Sequence, residues 1–150
     1  MNLKTQEIFV PVIYTGTVAK LIQNLGIEKT IEKLEQLGRN MGDTILKIWK
    51  PESRDIEKII KESYKQILLK EPNIETQSDG KIYIVRDEDC ILCWNVEAEI
   101  HYCIPIGKML EKIINYCSEI HSNIPRVNVE TTKSKAKGFD FCEHIINLGD

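Results

Sequence analysis

At 150 residues, with 42% hydrophobic and 29% charged residues, the chain is long enough to bury one real core and too short for two, which predicts one domain over 1–150 and excludes a disordered chain. A net charge of -3 and a pI near 5.7 argue against direct nucleic-acid binding, which needs a strongly basic face, and the longest apolar runs, such as residues 8–14, are too short to predict a membrane span. Five cysteines without a recognisable secretion signal point to reduced thiols and a cytoplasmic location.

In chain order, residues 7–14 read as a short strand or extended arm, because Pro11 weakens any helix there. Val18, Leu21, Ile22 and Leu25 have helical spacing over 17–25, and Gly26 ends the run as a helix cap does. Residues 28–49 give the clearest helix: Ile31, Leu34, Gly38, Met41 and Ile45 follow the i, i+3, i+4 rule, and Pro51 stops it. Gly38 and Gly42 share a face of that helix. Each costs about 1 kcal/mol against alanine, so the pair has a purpose, either close approach of a second helix or space for a ligand.

A third helix is expected after Ser53, with Ile56, Ile59, Ile60, Tyr64, Ile67 and Leu68 as its stripe and Pro72 as its end. The period then changes to two. Residues 74–77 and 81–85 flank Asp79-Gly80 and read as a tight hairpin, and 90–96 reads as a further strand. A fourth helix starts near Pro105 and runs to about residue 120. A last hairpin joins 127–131 to 139–146 through a lysine-rich turn ending in Gly138. Helices followed by strands predict an α+β fold, with an antiparallel sheet of about four to five strands packed against helices.

The helix with Gly38 and Gly42, Cys103 followed by Gly107, Val-x-Val-Glu130, and Gly138-Phe-Asp-Phe-Cys142 together resemble the 4-vinyl reductase domain family. That family is related in fold to the TRAPP vesicle-tethering subunits and to haem nitric-oxide sensor domains. The resemblance covers about residues 17–147. It implies a domain of the nitric-oxide-signalling/Golgi-transport ligand-binding type, enclosing a small hydrophobic or aromatic molecule and dimerising through its helices. Gly38, Gly42, Trp94 and Cys103 are the candidate ligand-binding residues. The resemblance also implies a structural zinc held by cysteines and a glutamate, at positions that fall on Cys103, Glu130 and Cys142; the family's remaining cysteine falls at Ser134.

The residues themselves allow such a site. On a strand, Cys142 and His144 point to one side, as do His101 and Cys103, with Glu130 on the neighbouring strand. Mixed sulfur, nitrogen and oxygen ligands suit zinc, so Cys103, Glu130, Cys142 and His144 form the expected metal set, with His101 as the alternative imidazole. Cys90-x-x-Cys93 has zinc-knuckle spacing, but on a continuous strand its two thiols face opposite ways, so packing is the favoured role; Cys117 falls in a helical core stripe. Lys133, Lys135 and Lys137 read as a solvated turn, and no ordered nucleophile, base and orienting residue is visible. The sequence therefore predicts a cytoplasmic, non-catalytic, homodimeric binding domain for a hydrophobic small molecule. The rival readings are an interaction scaffold or an accessory reductase or hydrolase.

Overall fold

A computed structural model describes residues 3–149. Its first helix corrects the sequence reading: α1 (Leu3–Leu25) runs straight through Pro11. A proline inside a helix removes one i→i−4 bond, and here a single lost bond does not end a helix whose remaining turns continue. Thr15 Oγ1 bonds back to the Pro11 carbonyl at 2.8 Å. Continuous helix also corrects the expectation about membrane spans. The window Ile8–Leu25 is long and apolar enough, by length and composition alone, to cross a membrane. Its second half is occupied, however: Tyr14, Val18 and Ile22 pack on the core, and Tyr14 donates to the Tyr102 carbonyl while its ring meets Tyr102 edge-on at 6.4 Å.

Gly26, at φ 83°, breaks α1 from α2 (Ile27–Ile48). The buried residues of α2 are Thr30, Leu34, Gly38, Gly42 and Leu46, one every fourth position, which is a single narrow face. That face lies on α4 (Ile104–Ile120). A Cβ at Gly38 would come within 2.4 Å of the Pro105 carbonyl oxygen, and one at Gly42 within 2.7 Å of Lys112 Cβ. The glycine pair thus serves close helix approach within one chain, and α4 occupies the space in which a ligand or a second copy was expected to sit.

Helix α3 (Ile56–Ser63) is capped by Asp55, which accepts from the Lys58 amide at 3.0 Å; Ser53 supports the cap by accepting from the Asp55 amide. Its last turns, Tyr64–Leu68, widen into a π-helix that ends at Leu69 with φ 57°. The strands are β1 (Asn73–Gln77), β2 (Ile82–Asp87), β3 (Val127–Lys133) and β4 (Cys142–Leu148), in the antiparallel order β1-β2-β4-β3. Cys142, His144 and Ile146 alternate onto the buried helix face, each 0% exposed. Glu143 points the other way and pairs with Arg86 at 2.8 Å. Residues 90–96 are not a strand. They form a short 3₁₀ turn, Ile91–Cys93, with the Cys93 amide bonded to the Cys90 carbonyl. Four strands result, and the lost fifth one is where the thiols gather.

Candidate functional site

A 3₁₀ turn has three residues per turn, so side chains at i and i+3 lie one above the other. Cys90 and Cys93 therefore share a side, where a strand would have separated them. Cys103 arrives from the N-terminal cap of α4 and Cys142 from the first position of β4. The four sulfur atoms lie within 4.8 Å of one another and all four residues are buried; Cys93 and Cys142 are 3.5 Å apart. Together they can hold a metal ion. The Cys103 thiol is pushed well above its ordinary pKa, chiefly by hydrogen bonding with Cys142, then with Cys90 and Cys93, and by burial.

Of the four ligands expected from sequence, the structure brings Cys103 and Cys142 together and leaves Glu130 and His144 outside the cluster. Glu130 pairs in register with Ile145, on the face of the sheet opposite Cys142, and is exposed. His144 is on the correct face but is committed elsewhere: its Nδ1 lies 2.8 Å from Thr131 Oγ1, with Gly107 pressed against both. Burial lowers its pKa to about 4, only partly opposed by the Asp87 carboxylate, so the ring is neutral. Ser134, the position of the family's further cysteine, is also engaged. Its hydroxyl meets His101 Nδ1 at 2.8 Å and accepts from the Lys137 amide, capping the small turn Lys135–Lys137.

Two fully buried polar atoms lack a partner among the described residues, the Tyr64 hydroxyl and His144 Nε2. A buried polar group left without any partner costs about 1–3 kcal/mol. Tyr64 belongs to the π-helical turn; burial raises its pKa, and Asp87, Cys90, Cys103 and Cys142 add to the effect. Sequence reasoning gave Tyr64 only a place in a hydrophobic stripe.

Beside this region a cleft of about 430 Å³ opens between α2, α4 and β3, lined by Ile31, Ile104 and Val129 with Glu35, His101, Lys108, Asn128, Glu130 and Thr131. Thr131 connects the cleft to His144 behind it. Lys108 is fixed at the wall, donating to Glu111 and to the Val129 carbonyl at 2.9 Å each. None of the expected ligand residues lines it: Gly38 and Gly42 face α4, Cys103 belongs to the thiol cluster, and Trp94 is 44% exposed just past the 3₁₀ turn. The cleft residues gave no common sequence signal, because three separate elements supply them.

The described residues form an α+β domain, four α-helices with a four-stranded antiparallel sheet, of a fold shared with several solved proteins. Trafficking protein particle complex subunit 3 from Naegleria fowleri, solved covalently bound to palmitic acid, superposes with a TM-score of 0.76 at 18% identity, over 98% of this chain and 97% of that one. The phenol-responsive sensory domain of the transcription activator PoxR, solved with phenol, gives 0.63 at 11% identity over 92% and 73%. An H-NOX protein from S. oneidensis, in the Fe(II)NO state, gives 0.51 at 12% identity over 89% and 72%. No protein-family model matches the chain, and no curated protein matches it in sequence.

Proposed function

We propose that this chain is a cytoplasmic binding domain for a small hydrophobic or aromatic molecule, of the 4-vinyl reductase type, without catalytic activity of its own. The observation that carries the reading is the cleft between α2, α4 and β3. Its volume of about 430 Å³ suits a small molecule, its walls are apolar at Ile31, Ile104 and Val129, and its polar groups converge from His101, Lys108 and Thr131. The solved neighbours that hold phenol and palmitic acid support a small-molecule role for this fold, and the ligand itself is to be found by experiment. A panel of phenols, short aromatic acids and fatty acids, titrated calorimetrically against the full chain, tests it. Saturable binding by one class, weakened at least about tenfold in Ile104→Trp with little change in melting temperature, is the expected result. Absence of saturable binding across the panel removes the reading.

A second reading, an interaction scaffold working as a homodimer, is favoured by one feature. Ile8, Phe9, Val10, Val12 and Ile13 in α1 are each about half exposed, an apolar surface wrapping the helix. Tyr14, Val18 and Ile22 further along the same helix pack on the core, so a protein partner suits the exposed residues better than a membrane.

A further inference from the structure

We propose that Cys90, Cys93, Cys103 and Cys142 form a closed, mononuclear four-thiolate site for Zn²⁺, with a ligand set different from the one the family resemblance implies. The inference is independent of the small-molecule cleft. Geometry first limits what fits. Four ligands at the usual Zn–S distance of about 2.3 Å, arranged tetrahedrally, place their sulfurs about 3.8 Å apart. The sulfurs here all lie within 4.8 Å, and the Cys93–Cys142 pair is at 3.5 Å, so one ion needs only small side-chain adjustments. A cluster of several irons bridged by sulfide needs its cysteines spread more widely than this.

The surroundings carry the inference beyond proximity. Four thiolates around Zn²⁺ leave two negative charges in a buried place, and hydrogen-bond donors aimed at sulfur offset such charge. The Lys135 amide already points at Cys142 Sγ, at 3.4 Å. The fully buried Tyr64 hydroxyl, which has no hydrogen-bond partner among the described residues and lies close enough to Cys90, Cys103 and Cys142 for them to raise its pKa after burial and Asp87, would supply a second donor by turning toward a metal-bound sulfur.

The residues the family would use are excluded by placement. Glu130 points away on the other face of the sheet, and Ser134 is held by His101 and by its own turn. The two missing ligands come instead from the 3₁₀ turn at Ile91–Cys93. With no fifth group and no open position, the ion is structural. It fastens the turn and the start of α4 to the start of β4, three segments that share few regular hydrogen bonds. Soft thiolate ligands select zinc over magnesium or calcium, and zinc adds no redox chemistry.

The test uses the untagged full chain, purified without chelator under reducing conditions. Elemental analysis should find one zinc per chain in the parent, in Glu130→Gln and in Cys117→Ser, whose cysteine lies outside the cluster. Cys93→Ser should lose at least about tenfold of the bound metal. Because Cys93→Ser can fail to fold, the parent chain gives a second readout: replacing zinc by Co²⁺ should produce the visible bands of tetrahedral cobalt with the intense sulfur-to-metal charge transfer of four thiolates. Tyr64→Phe should keep the stoichiometry and bind zinc several-fold more weakly in competition with a chelator. Zinc lost in Glu130→Gln but kept in Cys93→Ser, a two-thiolate cobalt spectrum, or a reduced parent that takes up no zinc on addition and dialysis would each overturn the site.

Discussion

The first turns of α4 take part in two contacts that are built in opposite ways. Pro105 meets Gly38 of α2, and two residues earlier Cys103 meets Cys90, Cys93 and Cys142. At the helix seam, the sequence removes side chains so that backbone touches backbone, and the contact is complete within the chain. At the thiol corner it instead brings four buried sulfurs within 4.8 Å of one another, an arrangement that can hold a metal ion. A completed contact tells about folding alone. A cluster of buried thiols can serve binding as well as folding.

The largest expected effect is at the seam. Leucine at position 38 has no room, because its first carbon would already lie 2.4 Å from the Pro105 carbonyl, and backbone cannot swing aside. Gly38→Leu should cost more than about 3 kcal/mol or prevent folding, measured by urea denaturation. A variant of near-parental stability would mean that α2 and α4 do not meet here.

Next comes His144, which separates buried polar groups that are satisfied from those that are not. Its folded pKa of about 4 lies below the usual value of 6.5, so between these limits the unfolded chain binds the proton and the folded chain does not. Stability from this group is therefore full above pH 6.5 and declines as pH falls toward 4, by up to about 3 kcal/mol. Parent and His144→Leu, compared by denaturation at pH 7 and pH 4.5, should differ in their loss by about 2 kcal/mol, the parent losing more. Equal losses would place a charged or solvated imidazole at this position.

The contrast also explains what could be read beforehand. The α2 stripe, the Asp79-Gly80 turn and the Gly138 hairpin were legible because their signals are local: a period, or a residue suited to positive φ, which Asp79, Gly80 and Gly138 adopt. The α+β class followed from the order of those elements. The long α1 was not legible, because Pro11 acts on one hydrogen bond while the rest of the helix, anchored by Tyr14 and Val18, does not depend on it. At the site, Cys103 and Cys142 are legible in the sequence, while Cys90 and Cys93 are not, chiefly because of the conformation a strand reading puts between them, and also because the chain has no second Cys-x-x-Cys. On a strand, i and i+3 oppose; on a 3₁₀ turn they align, and no sequence period distinguishes three residues of one from the other. The bulge in β3 between Thr131 and Lys133, and the commitment of His144 to Thr131, are tertiary outcomes of the same kind.

The seam can be graded from within. At Gly42 the nearest atoms are Lys112 Cβ and Cγ, at 2.7 and 2.9 Å, and a Cβ moves only with its own backbone, so α4 must shift there too. Gly38 meets a backbone oxygen closer still, at 2.4 Å, so Gly42→Ala should cost about 1–3 kcal/mol and less than Gly38→Ala. A loss at Gly42 as large as that of Gly38→Ala, measured in the same denaturant series, would show a seam equally tight along its length.

The smallest effect on stability belongs to the opposite extreme, the bare half of α1. Phe9 is 57% exposed and Val12 46%, so a charge at either position meets solvent in the isolated chain and should change unfolding free energy by no more than about 0.5 kcal/mol. Self-association is another matter. An apolar helix surface that its own chain leaves about half exposed is one a homodimer would bury, and the seam at Gly38 and Gly42 is already taken by α4. Sedimentation equilibrium at micromolar protein should show a dimer for the parent and a 17.3 kDa monomer for Phe9→Glu combined with Val12→Glu, with melting at dilute protein unchanged. A parent that stays monomeric would leave this helix to a different protein partner. A variant that still dimerises would move the twofold contact to another face.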